Sequence, residues 1–539
     1  MFTEQTAPGA GYWGWKNGYY RYVGTQKQLF VDDFIIEEMQ NLKRALNQPV
    51  KYERNPVLSC DQPWEQEDGL RLNLYGSVLY DEEESIFKMW YDLEYYDNAI
   101  AERMAAYVTS KDGLNWEKPN LGLIEYQGSR DNNLIFGPPR EPTKEEIELD
   151  PTLAGGREVP RFDGPIAIKD AVETDPAKRY KMLFRGPPNL TNYMVNGAYS
   201  PDGVHWTYYE KSPLLPLRSD TSNNVFWDAR IDRYVVFLRL FAAFGEFEPS
   251  SGLTKPGHLR IVGRSESRDF VNWTPAEVVL IPDEKDRETL GTFHHMQVLQ
   301  YEGVYFGFLG ICRKYKLQSS KAQDSSEGHI ETHTTATEGE SGDVELTFSR
   351  DGVRWIRIGR EKAFIPNVKP YDQTQEWIHV FQPPLIVGDE IWIYYTGLET
   401  AHAPNPMPAL PSGTNAEANA VGLSKLRLDG FVSLEADMEE GVLTTKPFKF
   451  KGDRLEINAD AEGGELAVEI LEYRNMYRSI DVTPIDGFTR AECVTFKGNN
   501  VRHTMAWTGG SDLASLKGQT IKLKFHLRNA KLYSFQFRD

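Results

Sequence analysis

The chain repeats one seven-residue pattern four times. The pattern reads SKDGLNW at 110–116, SPDGVHW at 200–206 and SRDGVRW at 349–355, and a degraded copy, SRDFVNW at 267–273, has Phe270 in place of the glycine. Strand-like alternation of apolar residues flanks each copy, and Asp-Gly supplies the positive φ of a tight hairpin turn. Each copy therefore predicts a structural hairpin, in which the serine bonds across the turn and the tryptophan packs on the neighbouring unit.

A second kind of hairpin, made of a strand, an acidic turn and an aromatic strand, precedes each heptad and occurs once more near the end of the series. Two hairpins make a four-stranded sheet, so the pattern predicts five blades of a β-propeller. The heptads are spaced more widely than the ~40–50 residues of an ordinary blade, which indicates long loops of the kind that carry function. The predicted blades are at about 70–125, 160–215, 220–280, 292–362 and 375–437.

The pattern changes after the fifth unit. Residues 440–539 alternate with period two and contain no heptad, which is typical of an antiparallel β-sandwich. The predicted fold class is all-β, with a five-bladed β-propeller at 66–438, a C-terminal β-sandwich at 439–539, and an N-terminal segment at 1–65 that packs on one or both. A polar stretch at 317–342 predicts a mobile loop in blade four.

Composition narrows the classes of function. The formal net charge is −19, so no nucleic acid partner is expected, because phosphate binding needs a basic surface. No apolar stretch approaches the ~18 residues of a membrane span, and no membrane partner is expected. The first residues contain no signal peptide pattern, which predicts a cytoplasmic protein, or a periplasmic or secreted one if a leader was removed. The cysteines form neither a disulfide framework nor a zinc motif: Cys60, Cys312 and Cys493.

Five blades followed by a sandwich resemble the five-bladed glycoside hydrolase superfamily, which contains invertases, arabinanases, xylosidases and mannoside phosphorylases. Over residues 25–539 the chain is more specifically similar to uncharacterised bacterial family-32-like hydrolases, a resemblance that implies carbohydrate metabolism and polysaccharide degradation. The invertase nucleophile motif and the RDP motif are absent, so no catalytic residue is transferred from the family. The similar segments are LFVDDFIIEE at 29–38, NPVLSCDQPWE at 55–65, EKPNLGLIEYQGSRDNN at 117–133 and FHLRNAKLYSFQF at 525–537.

Propeller geometry places the candidate site at one mouth of the ring. In each blade, the residues just before the first strand and just after the second strand converge at this mouth. The turns between these two strands point to the opposite face, so their acidic residues are interpreted as turn formers: Asp81, Asp170, Asp228 and Asp389.

Carboxylates at the converging positions are the candidate catalytic groups. Glycoside hydrolysis uses one carboxyl group as the acid that protonates the leaving oxygen and another as nucleophile or base. The candidates are Asp163, Asp220, Glu376 and Asp92. A buried glutamate with a raised pKa suits the acid, which favours Glu376, with Asp163 or Asp220 as base or nucleophile. The structural alternative for each is an ion pair with a neighbouring arginine or a loop cap.

Arginines at the same mouth indicate an anionic group on the substrate. Arg185 and Arg239 end equivalent second strands, and Arg313 lies near that position in blade four. Three guanidinium groups around one axis would bind a carboxylate or sulfate, as in an acidic sugar. Alternatively, each arginine pairs with an inward-facing carboxylate.

Other polar and aromatic residues at the mouth are further candidates for substrate binding. Trp377 can stack on a sugar ring or belong to the core. No metal site is predicted, because adjacent histidines in a strand point in opposite directions. No organic cofactor is expected, since no dinucleotide or phosphate-loop fingerprint occurs, while a structural calcium ion is compatible with the sequence. The candidates are His294, His295, Gln297, Trp377, His379 and Asn223.

These observations predict an exo-acting glycoside hydrolase that cleaves a terminal sugar, acidic if the arginines bind it, in the axial pocket of the propeller. Two alternatives stay open. A glycoside phosphorylase would hold phosphate with the same arginines and histidines. A non-catalytic carbohydrate-binding protein would lack a carboxylate pair at the ~5–9.5 Å separation of glycosidases. Each reading has a carbohydrate as the partner, and the sequence does not define the oligomeric state.

Overall fold

The structure is a computed structural model of the chain. It describes residues 20–66, 70–97, 100–137, 162–185, 194–219, 221–242, 259–288, 291–320, 334–367, 377–398, 402–405, 419–476 and 479–539. This part of the chain is almost entirely β-structure, and its helices are single turns. None of the helices in these ranges is long and apolar enough to cross a membrane.

Five short strands begin the described chain, and each of them pairs with a strand far along the sequence. They are β1 (Arg21–Gly24), β2 (Gln28–Leu29), β3 (Ile36–Gln40), β4 (Lys43–Leu46) and β5 (Val50–Lys51). A helical turn, α1 (Pro63–Gln66), follows them and leads into the first blade.

Blades one to three are four-stranded antiparallel sheets whose strands follow chain order outward from the axis. Blade one contains β6 (Arg71–Asp81), β7 (Ile86–Asp97), β8 (Ile100–Ser110) and β9 (Leu134–Phe136). Blade two contains β10 (Asp163–Lys169), β11 (Tyr180–Arg185), β12 (Val195–Ser200) and β13 (Thr207–Tyr208), with a 3₁₀ turn at Pro176–Lys178. Blade three contains β14 (Asn224–Asp228), β15 (Arg233–Ala242), β16 (Leu259–Ser267) and β17 (Glu277–Leu280).

Blades four and five are joined by a backbone bridge between Gly342 and Trp377. After the helical turn α2 (Glu284–Glu288), blade four contains β18 (Gly291–Tyr301), β19 (Val304–Ser320), β20 (Thr334–Ser349) and β21 (Ile356–Ile358). Blade five contains β22 (Trp377–Val380), β23 (Leu385–Val387), β24 (Glu390–Leu398) and β26 (Asn419–Arg427), while β25 (His402–Asn405) pairs with β20.

Strand β5 completes blade five. It pairs with β26, with Lys51 opposite Ser424, so the outermost strand of the last blade comes from the N-terminal segment. The ring also closes at its centre, where Ser77 of β6 forms a parallel bridge with Gln382 after β22. Backbone hydrogen bonds therefore close the propeller at both its inner and its outer strands.

The heptads form turns of one geometry. In the copy at 200–206, Ser200 Oγ accepts a hydrogen bond from the Gly203 amide at 2.9 Å. The glycine has a φ of +83°, a conformation that other residues rarely adopt. Trp206 packs edge-on against Trp90 of blade one, with ring centroids 6.4 Å apart. The predicted hairpin turn and the packing of the tryptophan on a neighbouring blade are confirmed.

The acidic turns at the opposite face hold neighbouring blades together. Asp81 is fully buried at the end of β6, where it forms an ion pair with Lys88 at 3.3 Å and accepts a hydrogen bond from Tyr180 of blade two. These contacts support the interpretation of Asp81 as a structural residue of its turn. The pairing of an aspartate with a tyrosine of the next blade recurs in Asp170–Tyr234 and Asp228–Tyr305.

The C-terminal residues form a two-layered β-structure that includes β1 to β4. Its longest strand, Arg454–Met476, pairs through Arg454–Asp460 with the strand Ala530–Arg538 and through Glu465–Glu472 with the strand Ile521–Arg528. This strand therefore passes from one layer to the other. Between the layers lies an apolar core that includes Phe30, Leu455 and Phe525. The strands are β27 (Val432–Ala436), β28 (Gly441–Thr445), β29 (Phe448–Phe450), β30 (Arg454–Met476), β31 (Ser479–Pro484), β32 (Phe496–Thr504), β33 (Ile521–Arg528) and β34 (Ala530–Arg538), with a 3₁₀ turn at Ala514–Leu516.

The predicted fold class, a five-bladed β-propeller with a C-terminal β-sandwich, is confirmed, and two local assignments change. Strand β27 pairs with β34 and β4 of the C-terminal sheet, although the predicted fifth blade at about 375–437 included it. Parts of the polar stretch at 317–342 continue β19 and β20, where Ser320 pairs with Thr334. Residues 321–333 lie outside the described part of the chain.

Candidate functional site

Residues from all five blades meet around the axis at one mouth. Gly164 of blade two lies against Ser222 of blade three, since a Cβ built on the glycine would stand 3.4 Å from Ser222 Cα. The Ser222 hydroxyl faces His379 Nε2 of blade five at 3.4 Å. The His379 ring contacts Tyr75 of blade one and His295 of blade four, with centroids at 4.9 Å and 3.5 Å.

Asp92 is the candidate catalytic carboxylate whose surroundings the structure describes. It is fully buried on β7, and its Oδ2 accepts the backbone amide of Gly164 at 3.0 Å and the Asn73 amide at 3.5 Å. These contacts fix the carboxylate of Asp92 between blades one and two, while its catalytic role stays a prediction. Two residues further along the strand, Glu94 is ion-paired with Arg71 at 2.8 Å, which is the structural alternative for an acidic residue at this mouth.

Three histidines form a compact buried cluster. His294 and His295 come from β18 and His379 comes from β22, and all three are at most 2% exposed. Nδ1 of His294 lies 3.4 Å from Nδ1 of His295. Burial, and then the positive charge of Arg239, lowers the pKa of His295 to about 3. The imidazole of His295 is therefore neutral at physiological pH.

The arrangement of the histidines contradicts the expectation that adjacent histidines of one strand diverge. The register of β18 against β19 shifts between Phe293 and His295, and a β-bulge of this kind re-aims a side chain. Gly310 on β19 makes room for the ring, because a Cβ there would stand 2.1 Å from His295 Cε1. The alternation argument against a metal site therefore fails here.

Arg239 is the predicted arginine that the structure brings to the histidines. It is 3% exposed, and its Nη1 lies 3.4 Å from the carbonyl oxygen of His294. Arg185 is half-buried at the end of β11, where its backbone pairs with Asp163. Arg313 is described by its backbone alone, opposite Gly291, so the cluster of three arginines stays a prediction.

A polar layer crosses the axis below the histidines. Gln297 is fully buried; its Nε2 donates to Ser222 Oγ at 2.7 Å, and its Oε1 accepts from Asn224 Nδ2 at 3.1 Å. Gln382 of blade five bonds to the backbone of Val225 in blade three. These contacts fill the axis with hydrogen-bonded side chains one layer deeper than the mouth.

Two other candidates have partners within the protein. Trp377 is 1% exposed, and its ring packs against His294, with centroids 4.8 Å apart, so this side chain is core in the described conformation. Asn223 accepts a hydrogen bond from Ser219 Oγ at 2.6 Å and donates to the Thr221 carbonyl at 3.1 Å. Its amide thus orders the loop that leads into β14.

Three of the four predicted catalytic residues are not described at the level of side chains. Asp220 and Glu376 lie outside the described residues, and Asp163 is described only as the first residue of β10. Their sequence neighbours Thr221 and Trp377 lie at the mouth. The assignment of these carboxylates stays a prediction.

Sequence reasoning missed two polar members of this region. Ser222 connects Gln297 to His379, and its only signal in the sequence is a run of polar residues ahead of β14. Cys312 is fully buried and accepts a hydrogen bond from Arg260 at 3.1 Å. The pairing joins two different blades, so neither residue's local sequence indicates it.

No protein-family model matches the chain, and no curated protein matches its sequence. Solved structures similar to this chain include a glycoside hydrolase, with 13% identity over 70% of this chain and 92% of that chain and a TM-score of 0.42. Others are a β-1,2-mannobiose phosphorylase from Listeria innocua (9% identity, 72% and 97% coverage, TM-score 0.41) and a family-32 β-fructofuranosidase from Bombyx mori (12%, 91% and 95%, 0.36). The neighbours thus include the propeller glycoside hydrolases that the sequence resembles, while the architecture given above rests on strand pairing.

Proposed function

We propose that the protein is a glycoside hydrolase whose reaction takes place at the histidine-lined mouth of the propeller. The observation that carries this proposal is the buried carboxylate of Asp92, held by the Gly164 amide at 3.0 Å. Hydrogen bonds from two blades fix this carboxylate in position, and a nucleophile or base at the axis would need such a fixed position. Its position among groups from five blades supports a role in chemistry at the axis.

Hydrolysis needs a second carboxyl group, and we propose that Asp163, Asp220 or Glu376 supplies it. Each is next in sequence to a described residue near the mouth: Gly164, Thr221 or Trp377. Glu376 remains the preferred acid, because a glutamate whose pKa is raised by burial is suited to that role.

We further propose that the enzyme is exo-acting. The polar layer of Gln297, Asn224 and Gln382 fills the axis beneath the histidines. A pocket closed at its inner end accepts the terminus of a sugar chain rather than its middle. Arg239, buried beside His294, supports a carboxylate on that terminal sugar, since a guanidinium group binds carboxylates bidentately.

The decisive experiment is a turnover screen of the purified chain on matched neutral and acidic glycosides, each with and without inorganic phosphate. We expect hydrolysis without phosphate, and a loss of about 100-fold or more in kcat for Asp92→Asn. The matched control is Asp232→Asn, which changes an exposed aspartate in the turn after β14. Full activity of Asp92→Asn would remove the residue from the mechanism, and sugar binding without turnover of any substrate would indicate a binding protein.

A glycoside phosphorylase is the second candidate, favoured by one feature. Arg239 lines the same small cavity as His294 and His295, and such a group can hold a phosphate oxygen. Turnover that requires phosphate and releases a sugar phosphate would select this reaction over hydrolysis.

A further inference from the structure

The histidine cluster has the spacing of a metal site. His294, His295 and His379 each offer a ring nitrogen, and these atoms all lie within 4.8 Å of one another. The Nδ1 atoms of His294 and His295 stand 3.4 Å apart. Two nitrogens bound to one tetrahedral zinc ion at ~2.0–2.1 Å stand roughly 3.3 Å apart, so little movement separates this pair from a coordinating arrangement.

Hydrogen bonds among the described residues do not satisfy every buried polar atom of the histidine cluster. Nε2 of His295 is buried and has no hydrogen-bond partner among the described residues. Most buried polar side-chain atoms in proteins have a partner, and an unpaired one is costly. Packing and hydrogen bonding among the described residues therefore do not fully explain the buried ring of His295.

The fold supports the positions of two of the three rings. The bulge in β18 turns His295 toward His294, and Gly310 leaves the space that the His295 ring occupies. Ser222 Oγ lies 3.4 Å from Nε2 of His379, and an outer hydrogen bond of this kind orients metal-binding histidines. Two of these features place the ring of His295 and one orients the ring of His379, which is more than apolar packing requires.

We propose that His294, His295 and His379 bind one divalent first-row transition metal ion, of which zinc is the representative case. Imidazole ligands suit zinc, copper, iron and nickel, whereas calcium and magnesium prefer oxygen. Three protein ligands leave a fourth position open, and a small cavity whose lining includes Ser222 and Arg239 adjoins His294 and His295. The guanidinium group of Arg239 favours an anion in that position, such as hydroxide or a carboxylate oxygen. This inference is independent of the proposed hydrolase reaction.

The test measures binding rather than turnover. The purified chain is stripped with a chelator and titrated with ZnCl₂ by calorimetry, and a parallel sample with CoCl₂ is followed by visible absorption. We expect one equivalent per chain, the visible bands of low-coordinate cobalt, and a loss of at least about 100-fold in affinity in His295→Gln and His379→Gln. The matched control, His205→Gln, removes an exposed histidine that pairs with Asp202 in a heptad and leaves binding unchanged.

Two results would overturn the site. One is wild-type protein without a stoichiometric zinc equivalent or cobalt bands, a measurement that needs no variant to fold. The other is full zinc affinity in folded His295→Gln and His379→Gln. Gly310→Ala, which displaces the His295 ring without removing a ligand, should weaken zinc binding while His205→Gln does not.

Discussion

Gln382 in blade five exchanges two hydrogen bonds with the backbone of Val225 in blade three. Its Oε1 accepts the Val225 amide at 2.9 Å, and its Nε2 donates to the Val225 carbonyl oxygen. The backbone of the same glutamine bonds to Gly76 and Val78 of blade one, at 3.2 Å and 2.7 Å. One residue therefore ties three blades together at the axis.

Replacing Gln382 by leucine should destabilise the propeller by about 2–4 kcal/mol, because two buried backbone groups of Val225 lose their partner at ~1–3 kcal/mol each. Urea unfolding followed by tryptophan fluorescence measures the loss. The control is Gln300→Leu, since Gln300 is only half-buried and its Nε2 has no hydrogen-bond partner in the described ranges. Equal stability of the two variants would refute the role of Gln382.

Phe270 occupies a turn position that glycine fills in the other three heptads. Its φ is +67° and its ring is fully buried, so packing outweighs backbone strain at this site. Phe270→Gly and Phe270→Ala both lose the ring, at about 3–5 kcal/mol. We expect the glycine variant to be the more stable of the two by about 1 kcal/mol, because alanine at positive φ costs ~1–2 kcal/mol.

The matched control is Phe237, which is buried in the regular strand β15. There the order should reverse, and Phe237→Ala should be more stable than Phe237→Gly, because glycine weakens a strand. The same order at both positions in thermal unfolding would show that the backbone of Phe270 is not strained.

The sequence predicted the strands and turns of the blades, because their conformation depends on residues that are close together in the chain. The Asp-Gly turns and the alternating strands on either side of them gave the blades, because turn conformation and strand alternation depend on neighbouring residues. The pairing of Lys51 with Ser424 has no local signal, since β5 has two residues and its partner lies more than 370 positions away. For the same reason the sequence did not reveal that β1 to β4 join the C-terminal sheet.

Some residues around the mouth could also be predicted from the sequence, because propeller geometry fixes where the ends of the inner strands lie. Propeller geometry brought His294, His379 and Asp92 to one mouth by position alone. The direction of the His295 side chain depends on a bulge and on the space at Gly310, which alternation in a strand cannot predict. Ser222 was overlooked because serine is common in loops, and its importance comes from partners on two other blades.

Asp32 of the N-terminal segment should make stability depend on pH. Arg350 of the blade-four heptad donates two hydrogen bonds of 2.8 Å to its carboxylate. Burial alone would raise the pKa of Asp32, but the hydrogen bonds and charge of Arg350 outweigh burial, and the pKa lies below its usual value. The pair therefore stabilises the fold above the unfolded pKa of ~3.9, and this contribution is lost as the pH falls through the folded pKa.

We expect Asp32→Asn to lower the free energy of unfolding by about 1–2 kcal/mol at neutral pH, and the difference from wild type to shrink below a pH of about 4. Denaturant unfolding across a pH series measures it. In an Arg350→Met background the same substitution should have little effect at neutral pH. A constant difference between wild type and Asp32→Asn at all pH values would contradict the ion pair as its cause.

Arg239 offers a direct test of the proposed acidic substrate. Because its guanidinium group is buried beside His294, Arg239→Met should lower kcat/KM for a uronic acid glycoside by about 10- to 100-fold, in line with a lost charged hydrogen bond of ~1.5–3 kcal/mol. The matched neutral glycoside should change little, and Arg239→Lys should restore part of the loss, since lysine keeps the charge without the bidentate fork. Arg233→Met, at the start of β15 beside the turn on the opposite face, serves as the control for removing a positive charge. Equal losses on neutral and acidic substrates would assign Arg239 to positioning of the histidines instead of substrate recognition.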